Sequence, residues 1–177
     1  MADLVSHALS AVVVRGRRPA DPVLLWLVTG TILPDLLSRA PFVGLRLIQS
    51  LGFIPHYSLS ENWIPLGFNF PHTPAGIFLV ALLFAIVVPS WLIAPLPRSR
   101  FALWLGLGGL LHLAIDLLQE HLTPGYLLFY PFSIQAVELG LVRSDGSVLF
   151  LPILIGAALL LTRPWRRKKR PKETTKA

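Results

Sequence analysis

The stretch "GGLLHLAIDLLQEH", residues 108 to 121, is hydrocarbon interrupted by His112, Asp116, Glu120 and His121. On a helix His112 and Asp116 stand at i and i+4, about 40° apart, and share one face. A neutral imidazole and a carboxylate on one face can offer two ligands to one cation. The chain has no cysteine, so His, Asp and Glu are the side chains available to a metal. Two other chemistries use the same pair: a structural hydrogen bond from imidazole to carboxylate, and a proton or ion path of the kind intramembrane ionisable groups form. His7, Asp35 and His72 are further ionisable groups at the ends of apolar runs. Whether they join the pair depends on the elements that carry them.

Composition decides what those elements are. Hydrophobic residues make up 54% of the 177 residues and mean hydropathy is +0.64, which is a membrane composition rather than that of a soluble domain of this length. The expected fold is all-α: a polytopic membrane helical bundle of about four spans plus a partial N-terminal helix. One domain covers residues 1–162, and a basic, disordered cytoplasmic tail covers 163–177. Residues 4–14 fall short of the roughly 20 that a crossing needs. Asp3 precedes this run and Arg15, Arg17 and Arg18 follow it, the reverse of a signal peptide, so no cleavage is expected. Residues 22–38 form the first crossing, ended by Pro34 and Asp35, and residues 41–54, too short and too charged to cross, lie in the interface or pack as a separate short helix. Residues 74–96 carry no charge and are the clearest span, kinked at Pro89. Spans at 101–118 and 148–162 complete the set, with "GLGG" at 106–109 read as small residues that let helices approach.

The net charge of +7 raises the question of nucleic acid, and the placement of the charge answers it. Thirteen of the sixteen Lys and Arg fall in three groups: Arg15, Arg17 and Arg18; Arg98 and Arg100; and the tail from Arg163 to Lys176. Each group abuts an apolar run, the pattern of cytoplasmic loops. With these groups cytoplasmic, the runs alternate in direction, and His7, Asp35, His56, His72, His112, Asp116, Glu120 and His121 all fall toward the outer face. Three histidines and two carboxylates from four segments then share one depth. The tail "RPWRRKKRPK" reads as a positive-inside anchor for anionic lipid headgroups, and no specific nucleic acid is expected as a partner.

The succession of "SH" at 6–7, "GTILPD" at 30–35, "PHTPAG" at 71–76, "HLAID" at 112–116, Gly125 and "YPFS" at 130–133 resembles the YdjM-like bacterial inner-membrane family of predicted metal-dependent hydrolases, described as LexA-regulated. The likeness covers roughly residues 1–160. It implies a multi-pass inner-membrane protein in which His7, Asp35, His72, His112 and Asp116 are the metal-site positions, with the "YPFS" segment at the rim. Leu37 stands where such families place a second acid, and "GFNFPHT" lacks the basic residue and extra histidine that often precede the His-Ser/Thr pair. Both departures point to fewer ions than a two-metal site, unless His56 substitutes from its loop.

A mixed imidazole and carboxylate shell suits zinc first, then manganese or iron. Such an ion lowers the pKa of a bound water from about 16 to near 7. Asp116 and Glu120, one turn further on, are the candidate catalytic carboxylates, with Glu120 as general base; a solvated helix end is the other reading of Glu120 and His121. A site at lipid depth suggests a membrane lipid or other amphiphilic phosphoester as substrate. The alternative is a non-enzymatic membrane protein that binds metal, or transports ions or protons, with the same residues.

Overall fold

Two helices begin by the same local chemistry. The Asp21 carboxylate accepts a hydrogen bond from the Val23 N–H at 3.0 Å, and Pro22 follows at a position where no N–H is needed. The Thr73 hydroxyl likewise accepts from the Gly76 N–H at 2.9 Å, ahead of Pro74. Each side-chain oxygen satisfies an otherwise orphan donor, and each proline is pre-set for the first helical turn.

In the computed structural model the described residues are 4–16, 21–53, 70–120, 125–142 and 147–162. They form α1 (Leu4–Arg15), α2 (Pro22–Ser50), a 3-10 turn (Phe70–His72), α3 (Pro74–Val87), α4 (Ser90–Ile93), α5 (Arg98–Leu118) and α6 (Ser147–Thr162). Among the described residues the protein is all-α, with two isolated β-bridges and no strand. Two helices, α2 and α5, are long and apolar enough to cross a membrane; α1 and α3 are shorter apolar helices.

Two expected boundaries are corrected. Residues 22–38 and 41–54 do not form separate elements, because α2 runs unbroken through Pro34 and Pro41 for 29 residues. A proline removes one backbone bond of a helix and crowds the preceding turn, but apolar surroundings favour keeping the remaining bonds. Conversely, 74–96 is not one kinked span: α3 stops at Val87, the Val88 backbone turns extended, and Pro89 leads into the four-residue α4.

Helix α5 is the centre of the bundle, packed against α1, α2 and α3, while α1 also contacts α2 and α6. The α2–α5 crossing is tight because it has glycine on both sides. A Cβ on Gly30 would run into the Leu105 carbonyl and lie 2.9 Å from the Gly108 Cα, and one on Gly108 would meet the Leu27 carbonyl. Small residues thus let the backbones approach, as "GLGG" suggested. Toward the Arg98 end of α5, Leu33, Ala81, Ala85, Ile93, Phe101 and Leu105 form the apolar core. Trp26 meets the Phe101 ring edge-on at a centroid distance of 4.6 Å. The outer face of α3, with Phe78, Leu82, Leu83 and Ile86, is exposed, as a lipid-facing surface is.

At the other end of α5 the irregular segment 125–142 returns over the helix terminus. The N–H groups of Leu139 and Val142 donate to the carbonyls of Leu117 and Leu118 at 3.0 and 2.9 Å, and the Glu120 N–H donates to the Val142 carbonyl at 2.8 Å. These bonds satisfy carbonyls that a helix end leaves open. They also fix the segment that overlies His112 and Asp116.

Candidate metal centre

The five residues singled out by type and spacing come together. His7 closes the first turn of α1, Asp35 is in the middle of α2, His72 at the end of the 3-10 turn, and His112 and Asp116 are one turn apart on α5. All five are 5% exposed or less. His112 Nε2 lies 3.1 Å from Asp116 Oδ2, His7 Nε2 lies 3.3 Å from Asp116 Oδ1, and His72 Nε2 lies 3.5 Å from Asp35 Oδ1. The rings of His7 and His112 stack with centroids 4.0 Å apart. Candidate ligand atoms of His7, Asp35 and His112 lie within 4.8 Å of one another, and so do those of His72, His112 and Asp116.

The hydrogen bonding of the rings separates this arrangement from an ordinary polar core. His112 Nδ1 sits 2.8 Å from the Thr31 carbonyl oxygen; a carbonyl only accepts, so the proton is on Nδ1 and the Nε2 lone pair faces the cluster. Among the described residues, His112 Nε2, His72 Nδ1 and both ring nitrogens of His7 make no hydrogen bond. Buried polar atoms nearly always find a partner. A neutral His7 ring keeps one N–H, so three rings each offer at most one lone pair beside two buried carboxylates, a donor set that a divalent ion fits. His112 contributes to both groups of three through a single free lone pair, so the two groups overlap rather than form separate sites.

Two contributors escaped the sequence reading. Tyr126 donates from its hydroxyl to Asp116 Oδ2 at 2.8 Å and faces the His72 ring with centroids 5.7 Å apart. Burial, and then the Asp116 carboxylate beside it, push the phenol pKa well above its ordinary value, so the hydroxyl stays a donor. The Tyr126 backbone is held by paired bonds of 2.9 Å to and from Val137. That pairing needs glycine next door, because a Cβ on Gly125 would run into the Val137 carbonyl and lie 2.8 Å from the Glu138 Cβ. The sequence signal was Gly125 itself, already among the quoted motifs, with an aromatic immediately after it. Thr31 acts through its backbone, which no residue type announces.

The remaining candidates lie outside the cluster. Glu120 is exposed just past the end of α5, and His56 and His121 fall outside the described residues, as does the basic tail. Of the "YPFS" segment, Tyr130 meets the Phe70 ring edge-on at 6.1 Å, against the turn that carries His72, whereas Phe132 is exposed. Leu37, in the place of a second acid, packs against the apolar core.

A helical bundle with apolar outer faces and a buried His/Asp cluster at one level belongs to the class of membrane proteins that keep their polar chemistry inside the bundle. More particularly, the chain belongs to the YdjM inner membrane protein family, whose sequence pattern matches residues 3–174. No curated protein and no solved structure matches it.

Proposed function

We propose that the protein is a metal-dependent hydrolase of a lipid or other amphiphilic phosphoester, with His7, Asp35, His72, His112 and Asp116 holding the ion. The observation that carries the reading is the set of buried ring nitrogens left without hydrogen bonds around two carboxylates. Zinc is the first candidate, then manganese or iron. When bound, a divalent ion supplies Lewis acidity, acidifying a water and withdrawing charge from a phosphoryl oxygen.

The chain's own residues do the positioning. The Thr31 carbonyl fixes the tautomer and orientation of the His112 ring, as partners of ligating histidines do. The Tyr126 hydroxyl holds one oxygen of Asp116 and leaves Oδ1 beside His7. Asp116, between the two rings, is the candidate carboxylate for accepting the proton that an attacking water would lose. Glu120 is exposed beyond the helix end, away from the buried cluster.

Depth supports the amphiphilic substrate. His112 is fourteen residues from Arg98 along α5, and Asp35 thirteen from Pro22 along α2, so both lie about 20 Å from the basic ends at 1.5 Å per residue. With those ends cytoplasmic and α1, α3 and α6 inserted beside the two long helices, the cluster occupies the outer third of a hydrocarbon layer about 30 Å thick. An apolar crevice lined by Leu33, Pro34, Leu37, Pro71 and Val80 includes the chain neighbours of Asp35 and His72. It puts apolar surface, rather than an open cavity, beside those two residues.

The second reading, a metal-binding or ion-conducting protein without turnover, draws support from the burial of all five side chains. One experiment separates the two. Protein purified in detergent is assayed for bound zinc, manganese and iron, then incubated with a panel of phospholipids while soluble phosphate and headgroup are measured. Metal together with release supports the hydrolase, and metal without release supports the binder. Wild-type protein that carries no more metal than Asp116→Ala removes both.

A further inference from the structure

We propose that the return segment 125–142 is seated in lipid. Phe129, Phe132, Ile134, Leu139 and Leu141 rest among the acyl chains just below the headgroups of the leaflet opposite Arg98, and they hold the roof of the polar cluster there. The inference goes beyond the metal reading and needs no bound ion. Three observations lead to it.

The first is continuity. Beyond the first turn of α5 its exposed residues are Leu103, Leu107, Ala114 and Leu118. Steps of four, seven and four residues keep them within an arc of about 60°, one apolar stripe on one face. The carbonyl of Leu118, its last member, accepts the Val142 N–H at 2.9 Å, and Leu141 next to Val142 is exposed in turn. The stripe leads directly into the segment.

The second is depth. Helix α5 has 21 residues, Arg98–Leu118, which extend about 30 Å at 1.5 Å per residue. That is the thickness of a hydrocarbon layer. With Arg98 at one boundary, Leu118 and the segment bonded to it reach the other, whichever leaflet that is.

The third is what the segment presents. Phe132 is 95% and Ile134 79% exposed, and Phe129, Leu139 and Leu141 are exposed as well. Residues 125–142 contain no Lys or Arg and one acid, Glu138. Apolar exposure on this scale marks a contact surface. The tip also turns backbone donors inward: the Tyr130 N–H donates to the Leu127 carbonyl, those of Phe132 and Ser133 to the Phe129 carbonyl, and that of Gln135 to the Ser133 hydroxyl. Irregular backbone near lipid needs its polar groups satisfied within the protein. Lipid is the occupant because the surface starts on a lipid-facing stripe and ends at the hydrocarbon boundary. The same segment carries Tyr126, whose hydroxyl donates to Asp116, so lipid that holds the tip holds this roof over the cluster.

The chain has no cysteine, so one introduced thiol takes one label. Phe132→Cys, Ile134→Cys and, as a reference on the exposed face of α3, Leu82→Cys are made in the full chain and labelled with a nitrobenzoxadiazole dye. Each is reconstituted into vesicles of phosphatidylethanolamine and phosphatidylglycerol. The quenchers are nitroxide lipids, with the nitroxide near the headgroup or near the bilayer centre, and iodide in the water on both sides. The Phe132→Cys and Ile134→Cys labels are expected to lose roughly half of their emission to the shallow nitroxide, less to the deep one and little to iodide. The Leu82→Cys label is expected to be quenched most by the deep nitroxide. Tip labels quenched by iodide and by neither nitroxide, beside a Leu82→Cys label that is quenched by nitroxide, overturn the proposal. Tip labels shielded from all three quenchers are covered by protein, a second copy of this chain among the candidates, and overturn it too. A Leu82→Cys label open to iodide removes the bilayer from around the bundle, and the proposal with it.

Discussion

The two halves of α5 each bury one face, and those faces treat polar groups in opposite ways. Toward Arg98, the core around Phe101 is apolar, and the arginine's own donors go to the end of α3: to the Ala85 carbonyl, to the Ile86 carbonyl at 3.1 Å and to the Ser90 hydroxyl at 3.1 Å. Toward Asp116, the interior is lined with three rings that approach carboxylates and keep ring nitrogens without hydrogen bonds. At the Arg98 end Arg15 Nε is a single buried nitrogen without a hydrogen bond, whereas at the other end four such nitrogens belong to rings around two carboxylates. The contrast separates residues that hold the fold from residues held open for a ligand.

Substitutions at the two ends should therefore part company, and the largest effect is expected at the cluster. His112→Ala and Asp116→Ala should each lower bound divalent metal to background, measured by atomic spectroscopy on folded, monodisperse protein; full metal content in both would erase the contrast. Phe101→Ala should cost about 3–5 kcal/mol of stability by opening a cavity, read as a lower melting temperature in detergent, while metal content per folded chain stays at the wild-type value. Tyr126→Phe removes only the hydroxyl on Asp116, and metal affinity should fall about 10- to 100-fold in a competition titration with a chromogenic chelator. Glu120→Gln should be the mildest, with metal content unchanged. A loss of metal there as large as in Asp116→Ala would move the boundary of the site out to the helix end.

Side-chain chemistry made much of the cluster legible. Ionisable groups in hydrocarbon are conspicuous, and placing the basic groups on one side put His7, Asp35, His72, His112 and Asp116 at one depth before any contact was known. Contacts made by backbone, or by residues common everywhere, were not legible. The Thr31 carbonyl carries no residue signature, and Tyr126 reaches Asp116 only because the return of 125–142 is pinned to the end of α5. Proline alone does not mark the helix ends. Pro34 and Pro41 sit inside a packed α2, whereas Pro89 does end a helical run because Val88 before it has already turned extended. A proline's local preference is the same in all three places, and the neighbouring contacts decide the outcome.

Pro34 has one more consequence, in the count of donors and acceptors along α2. Lacking an N–H, it leaves the Gly30 carbonyl without its usual partner, and its ring crowds that turn of the helix. Gly30 is also where α5 comes closest, against Gly108. One residue on from Gly30 is Thr31, and one turn on from Gly108 is His112, the pair joined by the 2.8 Å bond. The interruption that looked like the end of a helix thus lies in the turn where the α2 backbone supplies an acceptor to its neighbour. "GTILPD" is a hinge of hydrogen-bond accounting, with its glycine setting the approach, its threonine aiming a ring and its aspartate completing the cluster.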